Sequence, residues 1–261
     1  MKKIWYLFLA GLFTAFLVGC GGDEDNRDRS PTSQTQEPGQ IPGLGEYPGE
    51  IQGDPFTLPE GVYLNGSITG DSYDYSRRST LVKGEPLPKD FYQKDMFYFL
   101  RGDAILGSGH PVIVSIPLIN SNPTPTEVVF PARLVMKARS TLDQNGLLLK
   151  KASTVIPAGS EYTVTLVMYC GNLSRMGSSP SSLYEIGVII NSPLIEDLTK
   201  RLVDKKINVE EHAQDETPFY DSVYYEQYER LSNIVWNLTD RGIALSEDDK
   251  QWIANLPLST Q

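Results

Sequence analysis

Between residues 110 and 170, apolar and polar side chains alternate with the period of two that marks a half-buried strand. In HPVIVSIPLI, Val112, Val114, Ile116 and Leu118 share one face. In EVVFPARLVMKA, Val128, Phe130, Ala132, Leu134 and Met136 do so, and in EYTVTLVMYC, Tyr162, Val164, Leu166, Met168 and Cys170. Pro117 has no backbone N–H to give to a ladder, so its strand is expected at a sheet edge or a bulge. Upstream, FTLPEGVYLNGSITG alternates around an Asn65-Gly66 turn signal, and DMFYFLRGD is a dense aromatic run of strand character. Asp143-Gln144-Asn145-Gly146 reads as a further turn. About seven such runs, cut by Gly and Pro, predict an antiparallel β-sandwich over residues 55–190.

Past residue 190 the period changes. Ser192 can cap a helix that Pro193 begins, and Leu194, Leu198 and Leu202 then recur at helical spacing beside Ile195. In FYDSVYYEQYERLSNIVWNLTDRG, Tyr224, Tyr228, Leu231, Val235 and Leu238 lie along one stripe, and Gly242 suits a C-terminal cap. Trp236 is expected to be largely buried there. Ser246 opens a third, short helix with Glu247, Asp248 and Asp249 in its first turn and Trp252 and Ile253 as its apolar face. The expected fold is mainly β with C-terminal helices: the sandwich closed by about three α-helices, which occupy residues 191–261.

The first residues follow another logic. Lys2 and Lys3 precede an uncharged apolar run from Ile4 to Val18, shorter than the roughly 20 residues of a membrane span. Residues 1–19 therefore read as a signal peptide. Leu17-Val18-Gly19-Cys20 resembles the lipobox of bacterial lipoproteins, which implies acylation at Cys20 and anchoring in a membrane by several chains together. Gly21 stands where that family carries Asp for inner-membrane retention, so the resemblance implies the outer membrane. Residues 20–54 are rich in Gly, Pro, Ser, Gln and Asp, and read as a disordered tether. Loss of Lys2 and Lys3 with the leader takes the formal charge from −10 to −12. So acidic a chain is repelled by nucleic acid, and no nucleic-acid partner is expected.

Candidate chemistry is sparse. Cys170 has no disulfide partner once Cys20 is acylated, and strand parity turns it to the core, where it is expected as a buried free thiol. VEEHAQDE gathers Glu210, Glu211, His212, Asp215 and Glu216, but at the spacing of no calcium or zinc motif; it reads as a solvated loop between helices. Arg101-Gly102-Asp103 matches the integrin tripeptide and reads as a strand-end turn. Asp71, Tyr73, Asp74 and Tyr75 sit in a polar loop whose tyrosines suit a contact surface. The sequons at Asn172 and Asn237 carry no weight in a bacterial lipoprotein. No catalytic residue, metal ligand or cofactor is expected.

A strand ending in Tyr169-Cys170, followed far downstream by a helix with Val235-Trp236, resembles the thioester domains of bacterial surface adhesins. The resemblance spans residues 160–257. In those domains a Gln four residues before the Trp joins the Cys; here that position is Ser232, whose hydroxyl cannot make the bond, and neither Gln227 nor Asn233 occupies it. The resemblance implies a related architecture without the thioester. The functional expectation is a lipid-anchored, non-catalytic binding or adhesion module with an envelope protein or glycan as partner. The alternatives are an envelope hydrolase acting on polysaccharide through paired carboxylates, or a structural part of an envelope assembly.

Overall fold

The computed structural model describes residues 36–72, 102–212 and 222–259. The leader, Cys20, residues 20–35 of the tether, Tyr73, Asp74, Tyr75, the DMFYFL run, Arg101, Asp215 and Glu216 lie outside them. The strands are β1 (Gly53–Pro55), β2 (Val62–Leu64), β3 (Ile68–Asp71), β4 (Ala104–Gly107), β5 (Val112–Asn120), β6 (Thr126–Phe130), β7 (Leu134–Ala138), β8 (Gly146–Leu147), β9 (Ala152–Ile156), β10 (Glu161–Cys170) and β11 (Leu183–Ile190). Nine form one sheet in the order β2-β5-β3-β11-β7-β8-β10-β4, with β1 on β11; β6 and β9 make a separate pair.

The described residues are thus mainly β, but they depart from two facing antiparallel sheets. Because β10 also pairs with β5, the antiparallel pairings β5–β3–β11–β7–β8–β10–β5 close a circuit. Only β4 runs parallel to its neighbour β10. The cause lies in strand length. β5 carries β2 and β3 end to end on one edge, and β10 carries β8 and β4 in the same way, a stagger that turns a sheet as shear turns a barrel.

Pro117 shows the same stagger from within. It lies in a central strand, not an edge strand. On the edge shared by β2 and β3, pairing stops at Leu118 and resumes at Ser115. The Pro117 carbonyl accepts from Asn65 N–H there at 2.9 Å, so the missing Pro117 donor falls in that same gap. Asn65-Gly66 accordingly joins two strands laid in tandem rather than a hairpin. EVVFPARLVMKA, read as one strand, is broken at Pro131: β6 and β7 enter different sheets through Arg133, whose φ of 71° reverses the chain. Parity survives the break, and Val128, Phe130, Leu134 and Met136 are all fully buried.

The face that holds these residues also holds Val112, Val114, Ile116 and Leu118 of β5, and Val164, Leu166, Met168 and Cys170 of β10. The opposite face carries Val135, Leu147, Tyr169 and Ile190 and packs against the helices. These are α1 (Pro193–Leu202), α2 (Val209–His212), α3 (Ser222–Trp236) and α4 (Glu247–Ala254), with a π-helical turn at Asn237–Arg241 capped by Gly242. Ser192 and Ser246 cap α1 and α4 as their sequences predict, accepting from the N–H groups of Ile195 and Asp249. Trp236 is only partly buried. No helix among the described residues is long and apolar enough to cross a membrane.

Two expectations are corrected here. Of the residues assigned to the tether, 36–52 lie on the helical layer, with Ile41 and Leu44 fully buried, and Gly53 and Asp54 belong to β1. Composition hid this because two side chains do the packing while glycines fit the chain to the surface. A Cβ at Gly45 would stand 2.0 Å from the Thr239 carbonyl oxygen. The VEEH segment, read as a solvated loop, is α2. Val209 is fully buried, and the Glu211 carboxylate accepts from Asn208 N–H at 2.8 Å, closing the helix start as a capping box does.

Candidate functional site

The end of β10 and the start of α2 are where the structure assembles polar chemistry. At the first, Tyr169 and Cys170 pair with Leu147 and Gly146 of β8. Alternation sends the Tyr169 ring to the helical side and the Cys170 thiol into the core beside Tyr184 and Met168. Burial pushes the thiol up to about 11, against smaller pulls from the Trp236 indole and the Asn172 N–H. Asn172 N–H points at the sulfur from 3.4 Å; the Trp236 N–H lies beside it, short of a full hydrogen bond. The thiolate that nucleophilic chemistry requires is therefore scarce at neutral pH.

The chain closes over this thiol. Asn172, fully buried, donates to the Gly45 carbonyl at 2.8 Å and accepts from Asn145 N–H. Gly45 N–H bonds the Gly171 carbonyl, and Asp240 of the π-helical turn accepts from Leu173 N–H at 2.9 Å. The structure thus places the Trp236 indole beside the Cys170 thiol. Ser232, one turn before Trp236, is buried, and its hydroxyl has no hydrogen-bond partner among the described residues. Gln227 is also buried but stands nine residues before Trp236, about 13 Å along the helix axis.

At the second place, the start of β9 with the residues before it, the two residues after α1, α2 and Ser259 enclose an open cleft of about 660 Å³. Lys150, Lys151, Ser153, Val203, Asp204, Asn208, Glu210, Glu211 and Ser259 line it. Lys150 is buried and spends its ammonium inside: it donates to the Lys205 carbonyl at 2.6 Å, to Glu211 at 2.5 Å and to the Ser259 hydroxyl. Burial pushes Glu211 up, but its bonds with Lys150, Ser259 and Asn208 outweigh that and hold its carboxyl below the usual range. Glu210 goes the other way. Burial pushes it up to about 7, and bonds from its own N–H, Gly107 N–H and Asn208 only partly compensate.

Two adjacent carboxyls with opposite shifts are the pattern of an acid and a base. Here both are committed to the fold. Glu211 oxygens accept from Lys150 and from the N–H groups of Ile207 and Asn208; Glu210 oxygens accept from Gly107 and Asn208. His212 contacts the Lys206 carbonyl at 3.1 Å and packs edge-on against Tyr224. Among the described residues no three His, Cys, Asp or Glu side chains converge in a way that could hold a metal ion. Gly102 bends the chain into β4, and Asp103 accepts from Thr163 N–H at 2.7 Å.

Sequence reading missed Lys150, Asp204, Asn208 and Ser259. Only Asn208 left a signal, in Asn-x-x-Glu before an apolar-to-polar change. The others meet across up to 109 positions of separation, which no local pattern carries. No protein-family model, curated protein or solved structure matches the chain.

Proposed function

We propose that the protein is a lipid-anchored envelope component whose β-rich unit is a non-catalytic binding or adhesion module. The observation that carries the reading is the cleft at α2. It has the volume of a small-ligand site, and its buried Lys150 and half-buried Glu210 and Glu211 are held by internal hydrogen bonds, as parts of a rigid wall. The leader and LVGC support acylation at Cys20 and the outer membrane. The small β6–β9 sheet, whose Val128, Phe130, Ala152 and Ile156 enter the main core, supports a layered, sandwich-like reading of the unit. The contact of Cys170 with Trp236 supports kinship in architecture with thioester domains that has lost the bond, since Ser232 stands at the Gln position.

The test is capture of envelope fractions by the purified full chain in detergent. A protein or glycan should be retained by the wild type and lost on Ser153→Trp, which fills the cleft. One observation favours the alternative hydrolase: burial pushes the Glu210 carboxyl up to about 7, toward the range of a general acid, in a cleft that also presents Asp204 to solvent. New reducing ends from a polysaccharide panel, lost in Glu210→Gln, would establish that reading instead.

A further inference from the structure

We propose that Asn65 is a site of spontaneous covalent modification: its side-chain amide is exchanged for a carboxyl through a cyclic imide closed by the Gly66 nitrogen, while Asn145, in the chain's other Asn-Gly pair, is protected by the fold. The sequence holds these two pairs, Asn65-Gly66 and Asn145-Gly146. Glycine favours the reaction in both, because no Cβ obstructs the attacking nitrogen and the backbone turns easily. The structure separates them. Asn65 and Gly66 are exposed in the link between β2 and β3. The Asn65 N–H is held by the Pro117 carbonyl at 2.9 Å, but neither the Asn65 side chain nor the Gly66 N–H has a hydrogen-bond partner among the described residues. Gly66 sits at φ 132°, and a Cβ added there would meet nothing closer than the Pro117 Cγ, at 3.6 Å, so a ring has room to form.

Asn145 is the opposite case. It is 4% exposed, its Oδ1 accepts from Ala138 N–H at 2.9 Å, and its Nδ2 donates to the Gly43 carbonyl at 3.3 Å. Gly146 is built into β8 between Met136 and Cys170, where a Cβ would stand 2.8 Å from the Met168 sulfur. Nitrogen and side-chain carbon meet there only through local opening. At Asn65 the step balances with water alone. Hydroxide takes the Gly66 N–H proton, the nitrogen bonds to the Asn65 Cγ, and the Cγ–Nδ2 bond breaks. The departing nitrogen recovers a proton from water and leaves as ammonia. Water then opens the imide. Cleavage of the new N–Cγ bond leaves aspartate. Cleavage of the original peptide bond leaves isoaspartate, in which the chain runs through the side-chain carbonyl and is longer by one methylene. Nothing is oxidised or reduced, and either product adds a negative charge. The longer link falls where pairing along that edge of β5 already lapses, between Leu118 and Ser115.

The test is incubation of the purified full chain in detergent at pH 6 and pH 9, followed by peptide mapping that separates aspartate from isoaspartate. Residue 65 should convert to both, several-fold faster at pH 9, with Asn145 intact until urea unfolds the chain. Asn65→Gln should lose the conversion, because the longer side chain closes a larger ring far more slowly. The Asn65 side chain is exposed and makes no hydrogen bond among the described residues, so the variant keeps the fold, which a thermal melt checks. Residue 65 left intact in the folded chain overturns the proposal. Equal conversion at Asn65 and Asn145 in the folded chain overturns the protection, and aspartate without isoaspartate at residue 65 overturns the imide route.

Discussion

Glu210 couples the cleft to pH. Its carboxyl titrates at about 7 in the folded chain against an ordinary value of 4.5. A folded-state value raised in this way means that stability is fully present below about pH 4.5 and is lost as pH rises through 7, when the buried group must ionise beside Glu211. The difference amounts to about 3 kcal/mol. His110 works in the opposite direction, because burial lowers it to about 4 and acid charges it below its ordinary 6.5. The clean measurement is therefore the difference between wild type and Glu210→Gln in chemical denaturation from pH 5 to 8. It should show the variant gaining on the wild type as pH rises; parallel curves would mean that Glu210 is ionised throughout. Cys170 yields a second expectation. With its thiol pushed up to about 11, it should resist iodoacetamide at pH 7.5 in the folded chain and react on unfolding, and the intact mass should lack the loss of about 17 Da that thioester formation from an amide entails. Rapid labelling of the folded chain would contradict the burial. The orientation of Cys170 was legible from strand parity alone. The shift at Glu210 was not, because it arises from burial against elements distant in the chain, β4 among them, whose Gly107 lies 103 residues away.

Among the elements, those with a strong period were readable and those shaped by long-range packing were not. The capped helices α1 and α4 and the strands β5 and β10 begin and alternate as their side chains dictate. Pro131 was passed over because parity continues on both sides of it, although a proline there ends one sheet and leads to another. The segment of residues 36–52 is the larger lesson. Its polar, glycine-rich composition resembles that of a linker, yet it covers Leu238 and the end of β10 through Ile41 and Leu44. Leu44→Ala should cost about 2–4 kcal/mol, the range for a fully buried leucine. Gly45→Ala should cost more, since its φ of 57° and the Thr239 carbonyl leave no space for a Cβ. Urea denaturation measures both; a loss below about 0.5 kcal/mol for Leu44→Ala would show that this segment is not part of the cooperative unit.

For the molecule as a whole, fold and attachment are separate questions with separate evidence. No helix among the described residues of the mainly β unit is long and apolar enough to cross a membrane. The proposed attachment rests instead on the LVGC sequence, whose Cys20 thiol would take the acyl chains. One acyl chain holds a protein only marginally, whereas two or more give durable retention, so the prediction concerns both modification and residence. Metabolic labelling with an alkyne fatty acid should mark the wild type and leave Cys20→Ala unmarked, and the wild type should sediment with membranes while the variant is released. The second cysteine supplies the internal control. Cys170→Ala should keep the label, because its thiol is buried and protonated. If Cys20→Ala retains both label and sedimentation, the membrane link lies elsewhere in the chain, and the tethered-module reading loses its anchor even where the cleft still binds.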